Sequence, residues 1–172
     1  MTGVGPLRCA VLAVLAASAV LGGCSSVGPP VDPGPVTVDQ RANVPEALSA
    51  ERRWLGSWFK GTPVRIGQRP DGALTVEVPR DFSFARGRSN VEPALAAVLD
   101  KVAESLRRVP LAELTLLAAP DDAGGRSALA LQRAAQVQKY LRSRGVPASR
   151  LGRPVATAEA AVQLRLESAD PL

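Results

Sequence analysis

Few side chains in this sequence can carry chemistry, and most of those are charged. The 172 residues include no histidine and only two cysteines, Cys9 and Cys24. This removes the commonest general base, the Ser-His-Asp arrangement and the usual zinc ligand sets. No catalytic residue, metal site or cofactor follows from the motifs, and a non-enzymatic role is expected. The stretch Pro120-Asp121-Asp122-Ala123-Gly124-Gly125 places two carboxylates in a loop, and Arg133 follows in a helix-like segment. At 100° per residue, Arg133 shares a sector with Leu129, Ala130, Val137 and Tyr140. A guanidinium on that apolar face needs a partner or a solvent-filled cleft, unless its stem packs and its head reaches water. An internal Asp122–Arg133 pair is a further alternative. Asp122 also reads as a turn or cap residue, because Pro-Asp-Asp-x-Gly is ordinary turn composition.

The second chemical feature is Cys24, and the segment before it gives it a role. Arg8 supplies a short basic start, and Cys9 to Leu21 is an apolar run without charge. The run is too short for a comfortable membrane span but suits a secretory leader. It ends in Leu21-Gly22-Gly23-Cys24, which resembles a bacterial lipobox: small residues before a cysteine that takes diacylglycerol, is cleaved and is N-acylated. The competing reading is a buried helix followed by a stray cysteine. Residues 1–23 are therefore expected to be a signal peptide. Acyl chains of the palmitate type on Cys24 would anchor the protein in a lipid bilayer, at roughly 0.8 kcal/mol per buried methylene. Cys9 leaves with the leader and Cys24 is blocked by lipid, so no internal disulfide is expected even in an oxidising compartment. Ser25 follows the cysteine, rather than the aspartate linked to inner-membrane retention. That points to the periplasmic face of the outer membrane.

The net charge is +5, with 21 Lys and Arg against 16 Asp and Glu. Such a balance ordinarily raises nucleic acid as a partner. Here the basic residues are scattered rather than striped and the chain is expected to be exported, so no nucleic-acid partner is expected.

The elements that must position Asp122 and Arg133 follow from periodicity and turn signals. Residues 24–43, with Gly28-Pro29-Pro30-Val31-Asp32-Pro33-Gly34-Pro35, show no hydrophobic period and read as an extended tether after the lipidated cysteine. At about 3.1 Å per residue, roughly 19 such residues reach on the order of 50–60 Å. Residues 44–72 read as an N-terminal helix and strand extension. The helix runs from Pro45 to Phe59, with Leu48, Leu55, Trp58 and Phe59 near one face, packed on the following domain or lying on a membrane surface. Pro63 to Arg69 and Ala73 to Pro79 alternate as strands do, with the turn residues Pro70-Asp71-Gly72 between them. Leu95, Val98, Leu99, Val102 and Leu106 form one face of a second helix, capped by Ser89 or Asn90, with Pro93 in its first turn. Glu113 to Ala119 has strand length, a helix spans about Ser127 to Arg144, and Ala161 to Leu166 alternates as a last strand.

From Leu74 onward the chain resembles the OmpA-like peptidoglycan-associated domain. The resemblance lies in Phe82-Ser83-Phe84-Ala85-Arg86-Gly87, then Val91-Glu92-Pro93-Ala94, and the run Val98-Leu99-Asp100-Lys101-Val102-Ala103 to Leu106. It is most specific in Val137-x-x-Tyr140-Leu141-x-x-x-Gly145-Val146-x-x-x-Arg150-Leu151. The resemblance implies an α+β domain over 73–168, a β-α-β-α-β sandwich of a mixed sheet with helices packed on one face. It also implies a ligand, the zwitterionic diaminopimelate of the peptidoglycan stem peptide. An aspartate meets the ammonium and an arginine meets the carboxylate. Asp122, three residues before Gly125, matches the aspartate, while Asp121 is one residue out of register. Arg133, in Arg133-Ala134, matches the arginine. A guanidinium grips a carboxylate with two parallel hydrogen bonds. The supporting loop is Asp121, Gly125, Arg126 and Ser127, where a helix N-terminus favours an anion.

The chain departs from the family pattern around this loop. Pro120-Asp121 replaces the usual His-Thr, the loop between glycine and arginine is about four residues shorter, and Glu159-Ala160-Ala161 replaces an Asn-Arg-Arg. Two functions follow. The first is an envelope lipoprotein that ties the outer membrane to peptidoglycan. The second is a structural or interaction lipoprotein on the same fold that has lost wall binding and docks an envelope protein partner.

Overall fold

Alternating burial along three segments builds the sheet. In a computed structural model, which describes residues 38–118, 128–154 and 160–169, the strands are β1 (Arg65–Gln68), β2 (Leu74–Pro79), β3 (Ala112–Ala118) and β4 (Ala161–Ser168). Leu74, Val76 and Val78 of β2 are buried, as are Leu114 and Leu116 of β3 and Val162, Leu164 and Leu166 of β4. Thr75, Glu77, Thr115, Gln163 and Arg165 alternate with them and are only partly covered. One face of each strand is therefore core and the other polar.

The order in the sheet is β1-β2-β4-β3. The α+β class is as expected, but the sheet is antiparallel in every ladder rather than mixed. The reason lies in where the last strand goes. β2 and β3 point the same way, but β4 inserts between them and runs antiparallel to both, so the two never become neighbours. A parallel pairing survives as the isolated bridge between Leu114 and Leu151.

Four helices accompany the sheet: α1 (Val38–Ala42), α2 (Val44–Trp58), α3 (Pro93–Arg108) and α4 (Ala128–Ser143). A helical turn at α1 stands where composition predicts extended tether; it runs almost directly into α2. The buried stripe of α2 is Val44, Leu48, Glu51 and Leu55, and Trp58 at its end is 56% exposed. Full burial of leucines such as Leu48 and Leu55 is worth roughly 1.5–3 kcal/mol each. That packing holds α2 on β1, β2 and β4. The turn after β1 fits the same helix closely. Gly72 has φ +84°, and a Cβ there would lie 2.6 Å from Cβ of Pro45.

α3 buries the whole expected stripe, Leu95, Val98, Leu99, Val102 and Leu106. Its start differs from the expected cap at Ser89 or Asn90. Val91 is held in a bridge with Phe84, and the Glu92 amide donates to the Ser83 carbonyl at 3.1 Å. Glu92 is thus extended and precedes the first helical residue, Pro93, with no side-chain cap. α4 turns Ala130, Arg133, Ala134, Val137 and Leu141 inward. Helices and strands share one cluster of buried residues, with the helices on the apolar face of the sheet.

Candidate functional site

Strands β2, β3 and β4 reach a common end, because Pro79 pairs with Ala161 and Ala118 with Gln163. There the chain leaves β2 through a 3-10 turn, Arg80–Phe82, and doubles back to α3. This loop is fastened from inside. Ser83 is buried, and its hydroxyl donates to the carbonyls of Val78 (3.3 Å) and Pro79 (2.9 Å). Phe84 is buried behind it, and the Arg88 amide closes a turn on the Ala85 carbonyl at 2.9 Å.

Arg133 reaches that loop from α4. It is 0% exposed, although it carries a guanidinium. Its Nε donates to the Arg88 carbonyl at 2.8 Å and its Nη2 to the Ala85 carbonyl at 3.3 Å. The guanidinium carbon lies 5.0 Å from the centre of the Phe84 ring, within cation–π range. The apolar sector read from the sequence therefore does face inward, and the charge there is met by backbone oxygen and an aromatic face. Its carbonyl partners lie 45 and 48 residues away in sequence, so no local pattern could name them.

Beside Phe84 opens a polar cavity of about 320 Å³, lined among the described residues by Arg80, Asp81, Phe84 and Arg86. Nε of Arg80 stands 3.6 Å from the Asp81 carboxylate. Arg86 is exposed. Guanidinium and carboxylate groups around one space suit a ligand that is anionic or zwitterionic. Sequence reasoning did not single out Arg80, Asp81 or Arg86. The available signal was three charged residues flanking Phe82-Ser83-Phe84, which a packing argument does not use. Cys24, Asp121, Asp122, Gly125, Arg126 and Ser127 lie outside the described residues.

The segment from Val137 to Leu151, where the resemblance was most specific, does a different job. At the far end of the sheet, Arg150 donates to the carbonyls of Leu106 (2.8 Å), Val109 (2.7 Å) and Ala112 (2.8 Å, through Nε). It thereby satisfies carbonyls where α3 ends and β3 begins, which a helix terminus otherwise leaves orphaned. Burial pulls this guanidinium below its ordinary basicity, and Glu113 opposes that fall. Gly145 turns the chain after α4 at φ +85°, Val146 is buried, and the Tyr140 hydroxyl donates to Asp100 of α3 at 2.8 Å. These residues dock α4 on α3 and close the chain toward β3.

Among the described residues, no group of three His, Cys, Asp or Glu side chains could hold a metal ion. No described helix is long and apolar enough to cross a membrane. No family model and no curated protein matches the chain. Solved structures do resemble it. A MotB-like protein of Desulfovibrio vulgaris has a TM-score of 0.57 at 19% identity, over 76% of this chain and 99% of that one. The cell wall anchor of the T6SS from Pseudomonas aeruginosa has a TM-score of 0.54 at 18% identity, over 68% and 96%. The periplasmic domain of Helicobacter pylori MotB has a TM-score of 0.53 at 16% identity, over 64% and 83%. The shared feature is the fold. It is the α+β fold that the OmpA-like resemblance implied, shared at 16–19% identity.

Proposed function

We propose that this chain is a non-catalytic envelope lipoprotein whose folded domain binds peptidoglycan. Acylated Cys24 holds it in the inner leaflet of the outer membrane, residues 24–43 span part of the gap, and the domain grips the wall. Asp122 meets the ammonium of the diaminopimelate and Arg133 its carboxylate, with Asp121, Gly125, Arg126 and Ser127 as the supporting loop. The observation that carries this reading is Arg133, a fully buried guanidinium set against the β2–α3 loop beside a polar cavity. Burying such a charge is costly unless it is well partnered, and a recognition site is one reason to retain it. The leader pattern before Cys24 supports the anchor. The fold it shares with a protein described as a cell wall anchor supports the wall as partner.

The test is a pulldown of the detergent-solubilised full chain with purified diaminopimelate-type peptidoglycan. Wild-type protein should cosediment. Asp122→Ala and Arg133→Ala should each weaken binding about ten- to a hundredfold, since hydrogen bonds to charged groups are worth roughly 1.5–3 kcal/mol. Arg133→Lys should rescue poorly, and Asp121→Ala should matter less. Metabolic labelling with a fatty-acid analogue checks the anchor, and the label should vanish in Cys24→Ser.

One observation favours a second reading, an interaction lipoprotein that docks an envelope protein. Two of the Arg133 donors are already engaged by the carbonyls of Ala85 and Arg88. Wild-type protein that ignores peptidoglycan while a well-matched OmpA-like domain binds would establish that reading instead.

A further inference from the structure

We infer that the tryptophan pair on α2, Trp54 and Trp58, with the cations around it, is a docking face for anionic phospholipid headgroups. The inference rests on the lipid anchor proposed at Cys24, and it concerns residues that the wall-binding reading does not use.

The core does not need these two rings. The stripe that α2 buries is Val44, Leu48, Glu51 and Leu55, and Phe59 packs against the same cluster one turn on. Trp54 and Trp58, four residues apart, form a second stripe along the flank next to α3. Their rings meet edge to face, with centroids 6.1 Å apart at 68°. Trp54 is half-buried, and Trp58 is 56% exposed. Two side chains of α3 hold the rings in this posture. Lys101 Nζ lies 4.1 Å from the centre of the Trp58 ring, and the Arg108 guanidinium carbon lies 3.8 Å from that of Trp54. An indole held in this way has little rotamer freedom left, so it loses less entropy when a second surface covers it.

Charge decides what that surface is. Lys101 is paired with Glu104 at 2.9 Å and Arg108 with Glu51 at 2.7 Å, so these two carboxylates are taken. Arg53 and Lys60, exposed on either side of the pair in sequence, make no hydrogen bond or ion pair among the described residues. Four cations thus stand against two carboxylates. The other carboxylate of α2, Glu46, lies twelve residues before Trp58, about 18 Å along the axis. Indole rings settle at the headgroup level of a bilayer, and Lys and Arg are drawn to its anionic lipids. A wholly apolar partner would leave Arg53 and Lys60 uncompensated. The anchor keeps a lipid surface within reach, because the 13 residues between Cys24 and Val38 span at most about 50 Å when fully extended.

The chain has two tryptophans and both are in this pair, so intrinsic fluorescence reports the face directly. The acylated protein is reconstituted into vesicles of phosphatidylcholine alone and of phosphatidylcholine with an equal part of phosphatidylglycerol. Flotation with both vesicles checks the anchor. With phosphatidylglycerol the emission should shift to the blue, lipids brominated in the acyl chain should quench it, and acrylamide quenching should fall about twofold. With phosphatidylcholine alone the rings should stay open to acrylamide. Arg53→Gln and Lys60→Gln should each weaken docking about fivefold. Trp58→Gln should lose most of the quenching by brominated lipid, and circular dichroism checks that each variant folds. Equal emission in the two vesicles, or a blue shift that survives both basic-residue variants, overturns the docking face and leaves the anchor standing. A shift that follows protein density rather than lipid charge means contact between copies and overturns it as well. Protein that floats with neither vesicle removes the anchor, and the docking face with it.

Discussion

Two arginines at opposite ends of the sheet use the same chemistry for different ends. Arg150 takes three backbone carbonyls where α3 ends and β3 begins, and Arg133 takes two from the loop that leaves β2. Around Arg150 stand other fastenings. The Glu51 carboxylate of α2 receives Arg108 at 2.8 and 2.7 Å and the Ser105 hydroxyl at 2.7 Å, all from the last turns of α3. The loop that Arg133 holds lines a polar cavity with charged walls, through Phe84 and Arg86. The comparison teaches that an arginine held by backbone carbonyls is not by itself a sign of ligand binding. Its surroundings differ: helix ends and closed ion pairs make Arg150 a clasp, whereas the open polar space beside the loop held by Arg133 is what the proposed recognition role requires.

The sharpest way to break this comparison is to remove each arginine in turn. Arg150→Ala removes the side-chain donor to three carbonyls, of which that of Val109 keeps the Ala112 amide, and should cost about 3 kcal/mol, measured by urea unfolding. Peptidoglycan affinity, measured well below the unfolding midpoint, should barely change. Arg133→Ala should cost less stability, about 2 kcal/mol, and most of the affinity. If Arg150→Ala abolished binding in folded protein, the division between the two ends would be wrong.

Gly145 tests the architectural end through backbone alone. Nothing lies within 4 Å of the position a Cβ would take, so Gly145→Ala introduces no clash, only a left-handed residue at φ +85°. The expected loss is about 1.5 kcal/mol with unchanged affinity. A neutral result would mean that the turn relaxes, and that the glycine is not needed to seat Val146 and Arg150.

The smallest effect, and the one with a pH signature, belongs to Glu51. Burial pushes its carboxyl up, but hydrogen bonds from Arg108 and Ser105 and the Arg108 charge outweigh burial, so the group is held below the usual glutamate range. A carboxylate depressed in this way stabilises the fold above its ordinary pKa and loses that contribution as the pH falls below about 4.5. Arg108 is 43% exposed, which screens the pair and limits the effect to about 1 kcal/mol. Glu51→Gln should lose that amount at neutral pH and flatten the acid limb of the stability curve. An unchanged acid limb would show that the pair does not hold α2.

How much of this was legible beforehand depended on the range of the interaction. The stripe Leu95-Val98-Leu99-Val102-Leu106 lies on one side of α3 because helix geometry puts residues three and four apart on one face, and burial followed. β2 and β4 alternate for the equivalent reason at period two. Gly145 sits at positive φ, and the Pro70-Asp71-Gly72 turn forms, because both depend only on local backbone sterics. Arg133 was also legible in part, since its place on an apolar face is a matter of periodicity.

Its partners were not legible, nor was the job of Arg150. The carbonyls of Ala85 and Arg88, and those of Leu106, Val109 and Ala112, come from segments 38 to 48 residues away, and every residue has a carbonyl. A sequence pattern cannot choose among identical acceptors; only the packing of α3 and α4 on the sheet can. The same holds for Glu51, a charge inside the stripe of α2 that hydropathy alone would leave on the surface, and for Trp58, which hydropathy would bury and the structure leaves 56% exposed. The position of β4 between β2 and β3 completes the list, because strand order is a choice among partners that local preference does not distinguish. What the sequence alone determined were the elements and their buried faces, which follow from chain geometry and hydrophobicity. What the tertiary structure decided was which distant polar groups meet, because those partners exist only once the elements have packed.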